Sequence, residues 1–168
     1  IRHNVHAYYN SVVSIGDVDI IVSTLWSKIE PADAFLTERN VSDFHRIMYD
    51  GHRLTAEAFN SAHARCLQFI QQAVADSQAL IKIVLTHHVP THLCTAQEFR
   101  GSTIGGAFTV ELVDYIADSG IAYWIYGHSH RNIDAQIGST RILSNQLGYI
   151  SHGEHHLNGF DPSRYITV

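Results

Sequence analysis

Short apolar runs alternate with turn residues along the first 25 positions. Val12-Val13-Ser14-Ile15 stops at Gly16-Asp17, and residues 18–25 resume as a β-branched run. This pattern predicts a hairpin whose second strand is well buried. Residues 26–48 are mixed and predict a loop carrying short helical pieces. Over residues 55–76 the period changes, with Phe59, Ala62, Cys66, Ile70 and Ala73 recurring at helical spacing. Thr55 suits the N-cap, and Glu57 in the first turn suits the positive end of the helix dipole. Residues 80–86 then read as a buried strand that stops at His87-His88-Val89-Pro90.

Residues 91–107 form a loop punctuated by Gly101, Gly105 and Gly106. A second helix is predicted over residues 110–119, capped by Thr109 and closed by Gly120. Residues 121–126 are a second buried strand, ending at Gly127-His128-Ser129-His130. Residues 133–137 and 140–143 flank Gly138-Ser139 as a hairpin, and residues 165–168 predict a last short strand. The order of strands, helix, strand, helix, strand and hairpin predicts an α/β fold. In such folds, catalytic groups gather just beyond strand C-termini. That placement separates His87, His128 and His130 from the rest of the 13 histidines.

Composition narrows the classes. A chain of 168 residues, 45% hydrophobic and 16% charged, suits one globular domain. A net charge of −5 argues against a protein that grips nucleic acid backbone. It is compatible with a small phosphorylated substrate, because bound cations reverse the local field. No apolar run approaches the roughly 20 residues that span a bilayer. Cys66 on a helix face and Cys94 in a loop make a poor disulfide pair and suggest a reducing, cytoplasmic setting.

The histidine clusters carry the candidate chemistry. In an extended Gly127-His128-Ser129-His130, the two imidazoles point the same way and suit a transition metal. Gly127 permits a sharp turn. The competing reading is a polar loop. His87 is the first residue past its strand and the better ligand of its pair, with His88 turned the other way by alternation. Each cluster follows a strand, with a helix between, so adjacent parallel strands would bring them together.

Thr86-His87-His88-Val89-Pro90-Thr91 and Gly127-His128-Ser129-His130 resemble the last two of the five motifs of calcineurin-like metallophosphoesterases. Residues Ser23-Thr24-Leu25-Trp26-Ser27 resemble a strand of the bacterial members, as does Asn145-Gln146-Leu147-Gly148-Tyr149 after the hairpin. The resemblance implies a sandwich of two sheets flanked by helices, with residues 1–168 supplying the C-terminal part of a single domain. It implies hydrolysis of a phosphomonoester or phosphodiester by two divalent or trivalent metal ions of the manganese, iron, zinc or magnesium class. His87 and His128 would ligate one ion and His130 the other. The ions, roughly 3.5–4 Å apart, would polarise the ester and hold an attacking hydroxide. His88, Arg131 and Asn145 are candidates for contact with substrate.

The family's first three motifs do not occur in the chain. Gly16-Asp17-Val18-Asp19 has the wrong spacing for the second and reads as a turn. By the resemblance, Ile1 lies shortly after the third motif, and the leaving-group histidine is expected upstream of it. Two divalent ions 3.5 Å apart repel by about 20 kcal/mol at an effective dielectric of roughly 20. Three neutral imidazoles do not offset that. The segment alone is therefore expected to bind at most one ion, weakly, and to be inactive without the missing N-terminal half as its partner. The rival readings are a mononuclear three-histidine zinc hydrolase and a degenerate, non-catalytic metal-binding domain. His152, Glu154, His155 and His156 read as a solvated loop. His45, His52 and His63 read as surface or helical positions.

Overall fold

Gly16 adopts φ +58°, the left-handed conformation that a tight hairpin turn requires. It joins β1 (Ser11–Ile15) to β2 (Val18–Val22) in antiparallel register, Val13 opposite Ile20. In the computed structural model, residues 2–168 are described, except for the Glu98 side chain. Ile1, the position expected to follow the third motif, lies outside them. The remaining strands are β3 (Met48–Tyr49), β4 (His52–Arg53), β5 (Ile81–Leu85), β6 (Tyr123–Ile125), β7 (Asp134–Ile137) and β8 (Thr140–Leu143). A six-stranded mixed sheet runs β1-β2-β5-β6-β8-β7, and β3 with β4 forms a separate two-stranded ribbon. Strands β2, β5, β6 and β8 are parallel neighbours. With the flanking helices α1 (Ala34–Asn40), α2 (Asp43–Arg46), α3 (Ala56–Asp76) and α4 (Val113–Asp118), the architecture is α/β.

Register explains the core. Ile21, Val84, Trp124 and Ile142 are successive cross-strand neighbours, and all are completely buried. They pack with Ile70 and Val74 of α3 and with Ile116 of α4. The opposite face differs. Val13, Ile20, Val22, Leu85, Tyr123 and Ile125 alternate away from the core row and remain partly exposed, while Ile83 and Leu143 on the same face are buried. A second cluster joins Phe59 at the start of α3 to Ile29, Val41, Phe44 and Leu54.

The long helix follows its sequence signals. Thr55 is extended, and its hydroxyl accepts the Ala58 N–H at 3.1 Å. Both cysteines are free and buried. Three expectations are corrected. The second strand ends at Val22 rather than residue 25, because Leu25 and Trp26 both adopt positive φ. Helix α4 begins at Val113, and Thr109 does not cap it: the Val110 and Leu112 N–H groups donate to the Val89 and Pro90 carbonyls, which ties residues 110–112 to the segment after β5 instead of to a helical turn. Residues 165–168 form no strand. The tail meets the sheet through the Tyr123 hydroxyl, which donates to the Thr167 carbonyl at 3.2 Å. Tyr123 lies on an interior strand, so that contact covers a face and offers no edge for pairing.

Candidate functional site

The parallel ladder of β5 and β6 continues past both strands. The Thr86 N–H donates to the Ile125 carbonyl at 2.9 Å and the Gly127 N–H to the His87 carbonyl at 3.1 Å. His87 therefore lies beside Gly127. A Cβ built on Gly127 would stand 3.4 Å from His87 Nδ1, in ordinary contact with that ring. The backbone of the His pair is pinned from the other side, since the His87 and His88 N–H groups both approach the Thr24 carbonyl, at 3.3 and 3.2 Å. Thr86 braces the strand end: its hydroxyl donates to the His88 carbonyl at 3.1 Å and accepts from Trp124 Nε1 at 3.0 Å.

Three imidazoles result in one cluster. Ring centroids are 4.7 Å apart for His87 and His128, 4.5 Å for His88 and His128, and 5.3 Å for His87 and His88. Phe108 stacks on His128 at 4.9 Å and Trp26 on His88 at 5.5 Å. Burial among these rings disfavours the charged form. It pushes His128 down to about 4, aided by the charge of His87, and His88 down to about 2, aided by His128. His87, the solvent-exposed member of the three, is lowered too, first by partial desolvation of its ring, against the opposing pull of Asp43. His130 is near enough for its charge to depress both His87 and His128.

These shifts make stability depend on pH. The folded values lie below the unfolded value near 6.5, so above that pH the neutral cluster has no proton deficit relative to the unfolded chain. As pH falls below 6.5, the unfolded chain takes up protons that the fold refuses, and stability drops; the His128 contribution levels off once that ring titrates near 4, and the His88 contribution continues to about 2. The gap at His128 alone corresponds to about 3 kcal/mol. Urea midpoints of EDTA-treated protein should fall steeply between pH 7 and 4.5. A His88→Phe variant should lose part of that slope, and a flat profile over this range would contradict the burial argument.

The arrangement corrects the expected geometry of the second motif. His128 and His130 have φ of 71° and 52°, so the segment is not extended and alternation does not align the rings. His128 turns toward His87 and His88. His130 packs against Tyr149 at 4.5 Å, and its Nδ1 lies 2.8 Å from Glu154 Oε2. Backbone strain of this kind, held by surrounding contacts, is a recurrent property of functional sites.

The other expected contacts are placed as follows. His88 is 2% exposed, wedged between Trp26 and Phe59, and so backs the cluster rather than facing a substrate. Arg131 is exposed, and its Nη1 donates to the Thr95 carbonyl at 3.1 Å. Asn145 is spent on structure: its amide donates to the Asp161 carbonyl at 2.8 Å and accepts the Asp161 N–H at 3.1 Å. His63 is buried within α3, where its Nδ1 lies 3.0 Å from the Leu25 carbonyl. A cleft of about 720 Å³ opens between residues 28–33 and 92–111, with Lys28, Glu30, Arg100 and Glu111 in its walls. The clustered imidazoles do not line it, but its wall residue Thr109 adjoins Phe108, the ring stacked on His128.

Gln146, Tyr149, Glu154 and Asn158 surround His130. Sequence reasoning placed Gln146 and Tyr149 in the Asn-Gln-Leu-Gly-Tyr stretch without giving either a role, read Glu154 as part of a solvated loop, and missed Asn158.

The donor chemistry of the cluster can be set against the needs of a metal. His87 and His128 are neutral, adjacent and of the right donor type, and His128 Nε2 is buried with no hydrogen-bond partner among the described residues. Yet among the described residues no group of three His, Cys, Asp or Glu side chains stands close enough to hold an ion. Two imidazoles are donors of the right kind for a transition metal but do not by themselves make up a site for one. Among the described residues no helix is long and apolar enough to cross a membrane.

No family model matches the chain. Among curated proteins, it is 29% identical over 175 residues to the uncharacterized protein L509 of Acanthamoeba polyphaga mimivirus, a match covering 98% of this chain and 61% of L509. The chain thus spans about three-fifths of the length of that relative. Among solved structures, the phosphopantetheinyl hydrolase PptH of Mycobacterium tuberculosis aligns with a TM-score of 0.48 at 12% identity, covering 89% of this chain and 59% of that one. A superposition that loose assigns no chemistry, and the α/β class stands on the sheet and helices themselves.

Proposed function

We propose that the chain is the histidine-bearing part of a metal-dependent phosphohydrolase acting on a phosphomonoester or phosphodiester. The observation that carries this reading is the pair His87 and His128. They are neutral imidazoles 4.7 Å apart, set just beyond the C-terminal ends of two adjacent parallel strands, and each falls in a short stretch that resembles a motif of that chemistry. His87, His128 and His130 would contribute to holding two metal ions, with the carboxylate ligands coming from the remainder of a longer protein. The partly exposed Val13, Ile20, Val22, Leu85 and Ile125 on one sheet face support such a remainder, because apolar side chains of that kind are stabilised when covered. Once bound, the metal would supply Lewis acidity toward a phosphoryl oxygen. The chain's own residues do the rest: they hold donor nitrogens deprotonated at neutral pH and exclude water behind them with Trp26, Phe59 and Phe108.

The net charge of −5 favours a small phosphorylated substrate over a nucleic acid backbone. Two free cysteines suit a cytoplasmic setting. The test uses the full-length protein with manganese, assayed on an aryl phosphate monoester and diester, with bound metal counted by mass spectrometry. Turnover with about two ions per protein is expected. One ion would favour a mononuclear zinc hydrolase, and neither metal nor turnover would leave a degenerate domain.

A further inference from the structure

His130 is held at three points by residues 146–158. Its backbone N–H donates to Gln146 Oε1 at 2.8 Å, its carbonyl accepts from Asn158 Nδ2 at 3.1 Å, and its ring Nδ1 lies 2.8 Å from Glu154 Oε2. The same Glu154 oxygen accepts the Tyr149 N–H at 2.6 Å. That bond is the first reason the carboxyl titrates below its usual range. Gly148 makes the cradle possible. A Cβ there would overlap Glu154 Oε2 and stand 2.9 Å from its Cβ, and the φ of +72° already disfavours any other residue. The Tyr149 ring meets His130 edge-on at 4.5 Å, while the His130 side chain stays one-third exposed.

We propose that Glu154 is a positioning residue that locks His130 as its Nδ1–H tautomer and thereby presents the Nε2 lone pair as a metal donor. An ionised carboxylate accepts and does not donate, so the proton of a neutral His130 has to sit on Nδ1. An unrestrained imidazole prefers the opposite tautomer, with the proton on Nε2, which would leave no lone pair there. Carboxylate–histidine pairs of this kind fix tautomer and ring direction at metal sites. The donor role rests on the phosphohydrolase reading. The tautomer does not.

The test is long-range ¹H–¹⁵N correlation of the histidine rings at pH 8.5, above the ordinary imidazole range, on metal-free full-length protein. Wild type should show His130 protonated at Nδ1. Glu154→Ala should move it to a mixture dominated by the Nε2–H form. Glu154→Gln, which keeps an accepting oxygen, should retain the wild-type pattern. An Nε2–H or doubly protonated His130 in the wild type would overturn the proposal with no variant needed, as would an unchanged tautomer in a folded Glu154→Ala. In the same protein, cobalt affinity should fall about 10–100-fold in Glu154→Ala and recover in Glu154→Gln. If the tautomer responds while no metal binds and no ester is cleaved, the phosphohydrolase reading fails and the Glu154 clamp stands. If metal binds and the tautomer ignores Glu154, the clamp fails alone.

Discussion

A His128→Ala variant of the full-length protein should lose metal-dependent hydrolysis of an aryl phosphate by about 1,000-fold or more, roughly 4 kcal/mol of transition-state stabilisation. The loss should not be a folding effect. His128 Nε2 is buried without a partner, so truncation removes an unsatisfied polar atom along with the ring contacts to Phe108 and His87. The thermal midpoint of the metal-free protein should change little. His45→Ala is the matched control, because His45 is an exposed histidine whose Nε2 lies 3.0 Å from the Arg39 carbonyl and outside the cluster. Equal activity in the His128 and His45 variants would remove the basis for the proposed function.

Trp124→Ala should cost about 3–5 kcal/mol of stability, the range for truncating a buried aromatic. Trp124 is completely buried at the centre of the sheet, between Val84 and Ile142, and is in edge contact with Tyr115. Its Nε1–H bond to Thr86 also ties the core to the turn that carries His87 and His88. Trp124→Phe keeps much of the apolar volume and gives up that bond, so a smaller loss of about 1–2 kcal/mol is expected. Urea denaturation of both variants checks the order. Should the phenylalanine variant be as unstable as the alanine one, the bond to Thr86 would outweigh the packing.

Much of the scaffold was legible because its signals are local. The α3 helix announced itself through the spacing of Phe59, Ala62, Cys66 and Ile70 and through Thr55, whose side chain caps it. The hairpins at Gly16 and Gly138 were legible from turn chemistry between β-branched runs. Where expectations failed, a distant partner had intervened. Thr109 looks like a helix cap in sequence, but Val89 and Pro90 take the following N–H groups. Asn145 looks available, yet the chain returns 16 residues later to occupy its amide.

The sequence by itself determined that histidines would follow two buried strands and that the strands would be parallel neighbours, because hydrophobic period and the strand–helix–strand order are encoded within a few tens of residues. Only the tertiary structure decided where each imidazole points. The left-handed backbone at His128 and His130 turns the two rings apart, His88 becomes a buried backing ring, and Glu154 reaches His130 across 24 residues. Ring direction, tautomer and charge state depend on which groups are packed alongside, and those neighbours are set by the fold rather than by adjacency along the chain.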